Sequence, residues 1–320
     1  MSLELVQYNS QAVFVENTFL TGLQTATVTI DQGVNNLNSF GVPTSTKSFR
    51  RKPNIDISMT RFLSNNTEPF IITGDDEFIK HYGVSIWDGG KTYKIETIIS
   101  SDQGETVSAG GSSLVYDKCL LKSIGYNFSS EGYFTENISF LGHYFKNGSG
   151  GTTSGGRSGQ VSRRDSFSLT NTIFPPEVSS ILKLSGNRVL KSVELSMSIN
   201  WTELPFYGQM FDQYKFKCMQ LPIEVTSNFN ILDLGYDQPS QEYALNGSNY
   251  YIDDSYYMGS NGNPNRQISI SSAGFTYDLG SKNVLTNVSR NGGDAENPSS
   301  YSTYTYTYAN YSNNFKVKRE

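Results

Sequence analysis

Residues able to do chemistry are few in this chain, and they are scattered. His81 and His143 are its two histidines, and neither stands at zinc-ligand spacing from a second donor. They read as ordinary polar or packing residues. Cys119 and Cys218 read as free, mostly buried thiols. The densest carboxylates are Asp75-Asp76-Glu77 and Asp253-Asp254. Paired carboxylates are what general acid–base work needs. Acidic runs of this kind are more often a helix's first turn or a solvated loop, and neither has the calcium-loop pattern. Gly148 to Gly159 is glycine-rich, yet no Lys-Ser/Thr follows and it opens no helix, so it is no phosphate loop. A nucleophile elbow and a dinucleotide fingerprint are both missing. The sequence predicts no enzyme, no metal and no cofactor.

Charge is the next clue. Lys47, Arg50, Arg51 and Lys52 form a basic cluster in the loop before an expected strand. Net charge is −5, which argues against gripping nucleic acid by its phosphates but not against a surface that DNA slides past. The cluster reads as a charge contact with another subunit, with a plain solvated loop as the alternative. A second loop, Tyr207 to Gln220, is aromatic and mixed in charge, with Phe211, Tyr214, Lys215, Phe216 and Lys217.

The elements that must carry these loops are strands. Tyr (21) and Phe (19) are abundant and charged residues make up only 17%, the composition of an all-β protein. Period-2 alternation marks Ala26 to Ile30, Ile55 to Phe62, Val189 to Trp201 and the tail Tyr301 to Tyr311. Further strands are expected at Tyr93 to Ser100, Leu114 to Leu121, and the hairpin Ile124 to Phe128 with Phe134 to Leu141. Short helices are expected at Asp75 to Tyr82 and after Pro175-Pro176. Ala12 to Val15 is either part of a subunit-contact arm or an edge strand. The N-terminus has no signal-peptide pattern, and no apolar run approaches the ~18 residues that span a membrane.

Length predicts about two domains, and the sequence repeats itself. Leu23 to Gly41 matches Leu190 to Gly208 without a gap. Ile55 to Ser58 matches Ile223 to Thr226, Ile124 to Phe128 matches Ala273 to Tyr277, and Asn137 to Ser139 matches Asn287 to Ser289. The two cysteines fall at non-equivalent places of the repeat. The expected organisation is a first β domain over 1–146, a Gly/Ser-rich linker over 147–165 and a second β domain over 166–320, related by internal duplication.

These blocks resemble the tail tube proteins of long-tailed bacteriophages. The likeness is clearest in Leu190 to Trp201, Leu204-Pro205-Phe206-Tyr207-Gly208 and Leu221-Pro222-Ile223-Glu224-Val225-Thr226. The resemblance implies two tandem tube-type β-sandwich or barrel domains. Three chains would then supply six units to a pseudo-hexameric ring, and rings would stack around a DNA channel. It implies self-association, contacts with tape-measure, terminator and distal tail proteins, DNA passing without specific binding, no membrane, and a place in the virion tail after assembly in the host cytoplasm. Ring-stacking candidates are the N-terminal arm and the 41–53 and 208–221 loops, with Lys47, Arg50, Arg51, Lys52, Phe211, Tyr214, Lys215, Phe216 and Lys217. The alternatives are another tube-fold ring at the tail end (a distal tail or tube-initiator protein) and a carbohydrate-binding adhesion module.

Overall fold

The computed structural model describes residues 11–37, 47–50, 53–63, 67–76, 78, 91–99, 112–130, 132–142, 144–148, 169–175, 178–179, 182–183, 189–203, 217–233, 266–272, 274–292, 301–312 and 315–320. Nineteen strands lie among them. In the first half they are β1 (Gln11–Val15), β2 (Thr18–Phe19), β3 (Leu23–Asp31), β4 (Val34–Leu37), β5 (Lys47–Arg50), β6 (Asn54–Leu63), β7 (Thr92–Ile99), β8 (Ser112–Ser129), β9 (Phe134–Gly142) and β10 (Phe145–Gly148). In the second they are β11 (Leu190–Ser198), β12 (Trp201–Glu203), β13 (Lys217–Met219), β14 (Glu224–Leu232), β15 (Ile268–Ser272), β16 (Phe275–Gly280), β17 (Asn283–Asn291), β18 (Thr303–Asn310) and β19 (Lys316–Arg319). The fold is all-β.

Eight of these strands run side by side and antiparallel, in the order β3-β6-β9-β8-β11-β14-β18-β17. One face is apolar because alternate residues are: Ile55, Ile57 and Met59 of β6, Ile138 and Phe140 of β9, Val193, Leu195 and Met197 of β11, Val225 and Phe229 of β14. The tail alternation becomes β18, which pairs with β14 and β17 of its own sheet, and Tyr304, Tyr306 and Tyr308 are buried. Burying one of the Ile, Leu, Val, Met or Phe side chains of this face contributes roughly 1.5–3 kcal/mol.

A second layer covers the apolar face. β8 spans 18 residues, and its first part leaves the eight-stranded sheet to pair with β7 and β10. Lys118, with φ at 53°, sits in that passage between layers. β7 pairs with β1, and β1 with β2, so residues 12–15 form a sheet strand paired on both sides. In the other half, β15, β16 and β19 form a three-stranded sheet. Tyr277 of β16 meets Tyr126 and Phe128 of β8 at ring centroid distances of 4.7 and 5.1 Å. The two halves thus share one core. The Thr73 and Val317 backbones also bond across them at 2.9 Å, and Lys318 Nζ lies 2.8 Å from Asp75 Oδ1.

Two residues of the expected linker are strand. Asn147 and Gly148 are strand residues of β10, opposite Leu114 and Ser113. A Cβ at Gly148 would collide with the Ser113 hydroxyl, so glycine serves strand packing there. The rest of 147–165 lies outside the described residues. Of the expected helices, residues 178–179 and 182–183 are helical, with Val178 and Leu182 buried and Ser179 N–H on Pro175 O at 2.9 Å. Of Asp75 to Tyr82, Asp75 lies in a turn, Phe78 is helical and buried, and residues 79–82 are outside the described set.

The pairing order repeats. Each group of four takes its strands first, second, fourth, third: β3-β6-β9-β8, then β11-β14-β18-β17. A bulge interrupts the first ladder of each, at Gln24 of β3 and Lys191 of β11. Another interrupts the last, at Lys122 of β8 and Thr286 of β17. From the residue after the first bulge, the ladders cross Thr25-Thr60-Asn137-Gly125 in one group and Ser192-Asn230-Thr305-Ser289 in the other. Gly125 and Ser289 each lie three residues past the second bulge, so both groups have one register. A side-chain bond recurs with its partners exchanged. Thr60 Oγ1 donates to Asn137 Oδ1 at 2.7 Å, and Thr305 Oγ1 to Asn230 Oδ1 at 2.6 Å.

This register keeps one sequence match and corrects three. Leu23 and Leu190 each immediately precede a first bulge, as matched. Residues 55–58 correspond to 225–228 rather than 223–226. Residues 124–127 correspond to 288–291, whereas 275–277 belong to β16 in the other sheet. Residues 137–139 correspond to 305–307. A two-residue slip preserves every face of an alternating strand, so short alternating blocks do not fix register.

Cys119 is fully buried against Gly142, and desolvation pushes its thiol up to about 12. Cys119 should stay unmodified by iodoacetamide in the folded protein at mildly alkaline pH and react on denaturation. Peptide mass mapping reads this; rapid native labelling would show that β8 opens locally.

Candidate functional site, a polar sheet face between two open edges

The face of the eight-stranded sheet turned away from the core is built from hydroxyls and amides. One row runs Thr27-Ser58-Ser139-Ser123-Ser198-Glu224 across six neighbouring strands. Another runs Phe62-Thr135-Asn127-Glu194-Asn228-Thr307-Asn287. These side chains bond to one another along the rows. Ser196 Oγ and Thr226 Oγ1 are 2.5 Å apart, and Asn230 Nδ2 donates to Ser192 Oγ at 2.8 Å. Carboxylates enter as Asp56, Glu194 and Glu224. Lys122 stands at one rim and its Nζ is held by Asp56 Oδ1 at 2.7 Å. Short neutral groups, several of them bonded to one another, with acidic residues among them, repel a polyanion rather than hold it.

Two edges bound this face. Among the described residues β3 pairs only with β6, and β17 only with β18. Each is nine residues long and free of proline. β3 has no charged residue before Asp31, and Ile30 is 42% exposed. A long strand with a bare outer edge is a template for pairing.

Both candidate loops spring from one rim. β4 and β5 form a hairpin between β3 and β6, and β12 and β13 form one between β11 and β14. These are equivalent places in the two four-strand groups. Lys47 lies on β5 opposite Leu37 and Arg50 opposite Val34, while Lys217 lies on β13 opposite Glu203. Arg51, Lys52, Phe211, Tyr214, Lys215 and Phe216 fall outside the described residues. At the same rim an open cavity of about 500 Å³ is lined by Asn54, Asp56, Lys122, Ser198, Asn200 and Trp201. The Trp201 Nε1–H donates to Leu121 O at 2.8 Å, which seats β12 against β8.

Sequence reading expected loops over 41–53 and 208–221; the structure instead places Lys47 and Arg50 on strand β5 and Lys217 on strand β13, and the polar face with its edge strands was not foreseen. The signal for the face was present as Ser, Thr and Asn at alternate positions of every strand. Its assembly into rows depends on register, which alternation leaves open. Among the described residues no three His, Cys, Asp or Glu side chains come together, and no helix is long and apolar enough to cross a membrane. Compared with family models and with curated proteins, the chain matches none.

Proposed function

We propose that this chain is a tail tube protein of a long-tailed bacteriophage, built by internal duplication, and that three copies close a ring through which DNA passes. The observation that carries this reading is the eight-stranded sheet with a repeated four-strand order, a polar outer face and, among the described residues, β3 and β17 as its outermost strands. In an antiparallel sheet of eight strands the outermost two run in opposite directions. β17 of one copy therefore meets β3 of the next antiparallel, like every other neighbouring pair, and a head-to-tail contact of this kind closes on itself.

Size selects the copy number. With strands ~4.8 Å apart and tilted ~40°, twenty-four strands from three copies give a backbone diameter of roughly 48 Å and a lumen of roughly 38 Å. Two copies give a lumen of roughly 22 Å by the same spacing and tilt, which leaves no hydration layer around a duplex roughly 20 Å across, with grooves about 8.5 and 7.5 Å deep. Three copies leave a clear channel. The two hairpins of each chain, six per ring, project from one rim and are placed to reach the next ring.

Native mass spectrometry of the purified protein should give a species of three chains, and negative-stain microscopy at high concentration should give hollow striated tubes. Single rings that never stack would favour the tail-end ring. A monomer at every concentration would overturn both.

A further inference from the structure

We propose that the seam between neighbouring copies repeats the seam inside the chain, with β17 of one copy pairing with β3 of the next so that Val288 stands opposite Ile30 and Ser289 opposite Thr29. The inference rests on the ring reading and adds the register of its joint.

The template is the ladder of β8 and β11, where one four-strand group hands over to the other. It pairs Ser123 with Ser198, Ile124 with Met197, Gly125 with Ser196, Tyr126 with Leu195 and Asn127 with Glu194. β8 is the third strand of its group and β17 the third of the other; β11 and β3 are the first strands. The bulges at Lys122 and Thr286 align β8 with β17, and those at Gln24 and Lys191 align β3 with β11. Carrying the β8–β11 ladder over residue by residue pairs Asn287 with Asp31, Val288 with Ile30, Ser289 with Thr29, Arg290 with Val28 and Asn291 with Thr27.

The chemistry of the two edges agrees with this register independently. Asp31, Thr29 and Thr27 meet Asn287, Ser289 and Asn291, which extends the polar rows across the joint. On the core side Ile30, 42% exposed in the single chain, gains Val288, which already packs against the core. A two-residue slip leaves Ile30 opposite the bulged Thr286 in one direction and Arg290 in the other. The template ladder starts immediately past the Lys122 bulge, and the copied ladder starts immediately past Thr286. The bulge thus marks where pairing begins in both seams.

Paired cysteines test the register. In a Cys218→Ser background, Thr29→Cys with Ser289→Cys places the thiols on directly opposed residues, about 4.5–5.5 Å apart. Thr27→Cys with Ser289→Cys and Asp31→Cys with Ser289→Cys each report a slip of two, where the diagonal distance of ~7–8 Å exceeds the ~6.8 Å that a disulfide spans. After mild oxidation with oxidised glutathione, non-reducing gels should show the Thr29/Ser289 protein as a ladder ending at three chains. The slipped pairs should cross-link at least tenfold less. Thr27→Cys with Asn291→Cys reports the same register and serves if the first pair perturbs folding, which circular dichroism checks. Rings that form while a slipped pair cross-links best, or while neither in-register pair does, overturn the register and leave the ring reading standing. Protein that never leaves the monomer in sedimentation overturns both.

Discussion

Arg61→Ala is expected to destabilise the fold by about 3–5 kcal/mol, the usual cost of stranding one member of a buried ion pair. Arg61 is 5% exposed and Glu136 not at all, on facing positions of β6 and β9. Arg61 Nε donates to Glu136 Oε2, Arg61 Nη2 to Glu68 O at 2.6 Å, and the Phe70 N–H to Glu136 Oε1 at 2.8 Å. The pair therefore anchors residues 68–70 at this end of the sheet. Burial pushes the Glu136 carboxyl up, and Arg61 opposes that rise. Removing the arginine leaves burial less opposed and raises the carboxyl further. A carboxyl whose folded pKa lies above its unfolded value supports the fold fully below the unfolded pKa, and that support is lost as pH rises through the folded pKa. The deficit of Arg61→Ala should thus be larger at neutral pH than in mild acid. Urea unfolding at both pH values measures it, and a neutral-pH loss under about 1 kcal/mol, an ordinary point-mutant effect, would mean that the pair does not organise this corner.

The second four-strand group shows what an uncharged solution looks like. At the positions equivalent to Arg61 and Glu136 it has Ile231 opposite Tyr304, both buried. Arg61→Ile combined with Glu136→Leu should therefore be more stable than Arg61→Ala, because no buried charge is stranded. What it still loses is the tie to Glu68 and Phe70. Such non-additivity is expected of residues in direct contact.

The same pair shows where sequence reading stops. Both charged residues occupy core-parity positions of their strands, so each is visible as a break in alternation. Nothing in the sequence pairs one with the other across 75 positions. A strand with clean alternation, such as β18, is legible, and so are β6 and β9 outside that one break each, because a half-buried ladder imposes period 2 on its side chains. The unbroken run of β8 is not legible. Its midpoint lies in two layers at once, and Lys118 with its left-handed backbone interrupts the pattern. The β8–β11 joint is invisible for a deeper reason: a strand's period fixes which face is buried but not which strand lies beside it. That joint turns two groups of four into one sheet of eight, and the polar face and the two outermost of the described strands follow from it. The repeat of Leu23 at Leu190 was the one long-range signal available. It aligned the first strands correctly because the match ran gap-free through a strand and its bulge.

The polar face carries the second large expectation. Ser58→Lys, Ser196→Lys and Thr307→Lys together should turn the face proposed to let duplex DNA pass into one that holds it. The three positions lie on β6, β11 and β18, on the same face and on strands that are not neighbours, so the new ammonium groups do not stand opposite one another. They change the formal net charge from −5 to −2. The wild-type protein should show no duplex binding at physiological salt, because its rows offer hydroxyls, amides and carboxylates. Each added cation that neutralises a phosphate steepens the fall of log affinity with log salt by about 0.9, so the triple variant should show a slope near −2.7 per chain. Filter binding of a random duplex over a salt series measures it. Three lysines on the opposite, core-covering layer would be the wrong comparison, since they test charge without the face. Glutamine at the same three positions keeps the face and removes the charge, and it should behave as wild type. If the wild-type protein itself binds duplex with a slope steeper than about −2, two or more phosphates are being neutralised already. DNA would then be gripped rather than passed, and the face would not be a channel lining. If instead only the lysine variant binds, affinity is governed by the charge of this one surface, as a channel that must release a passing polyanion requires.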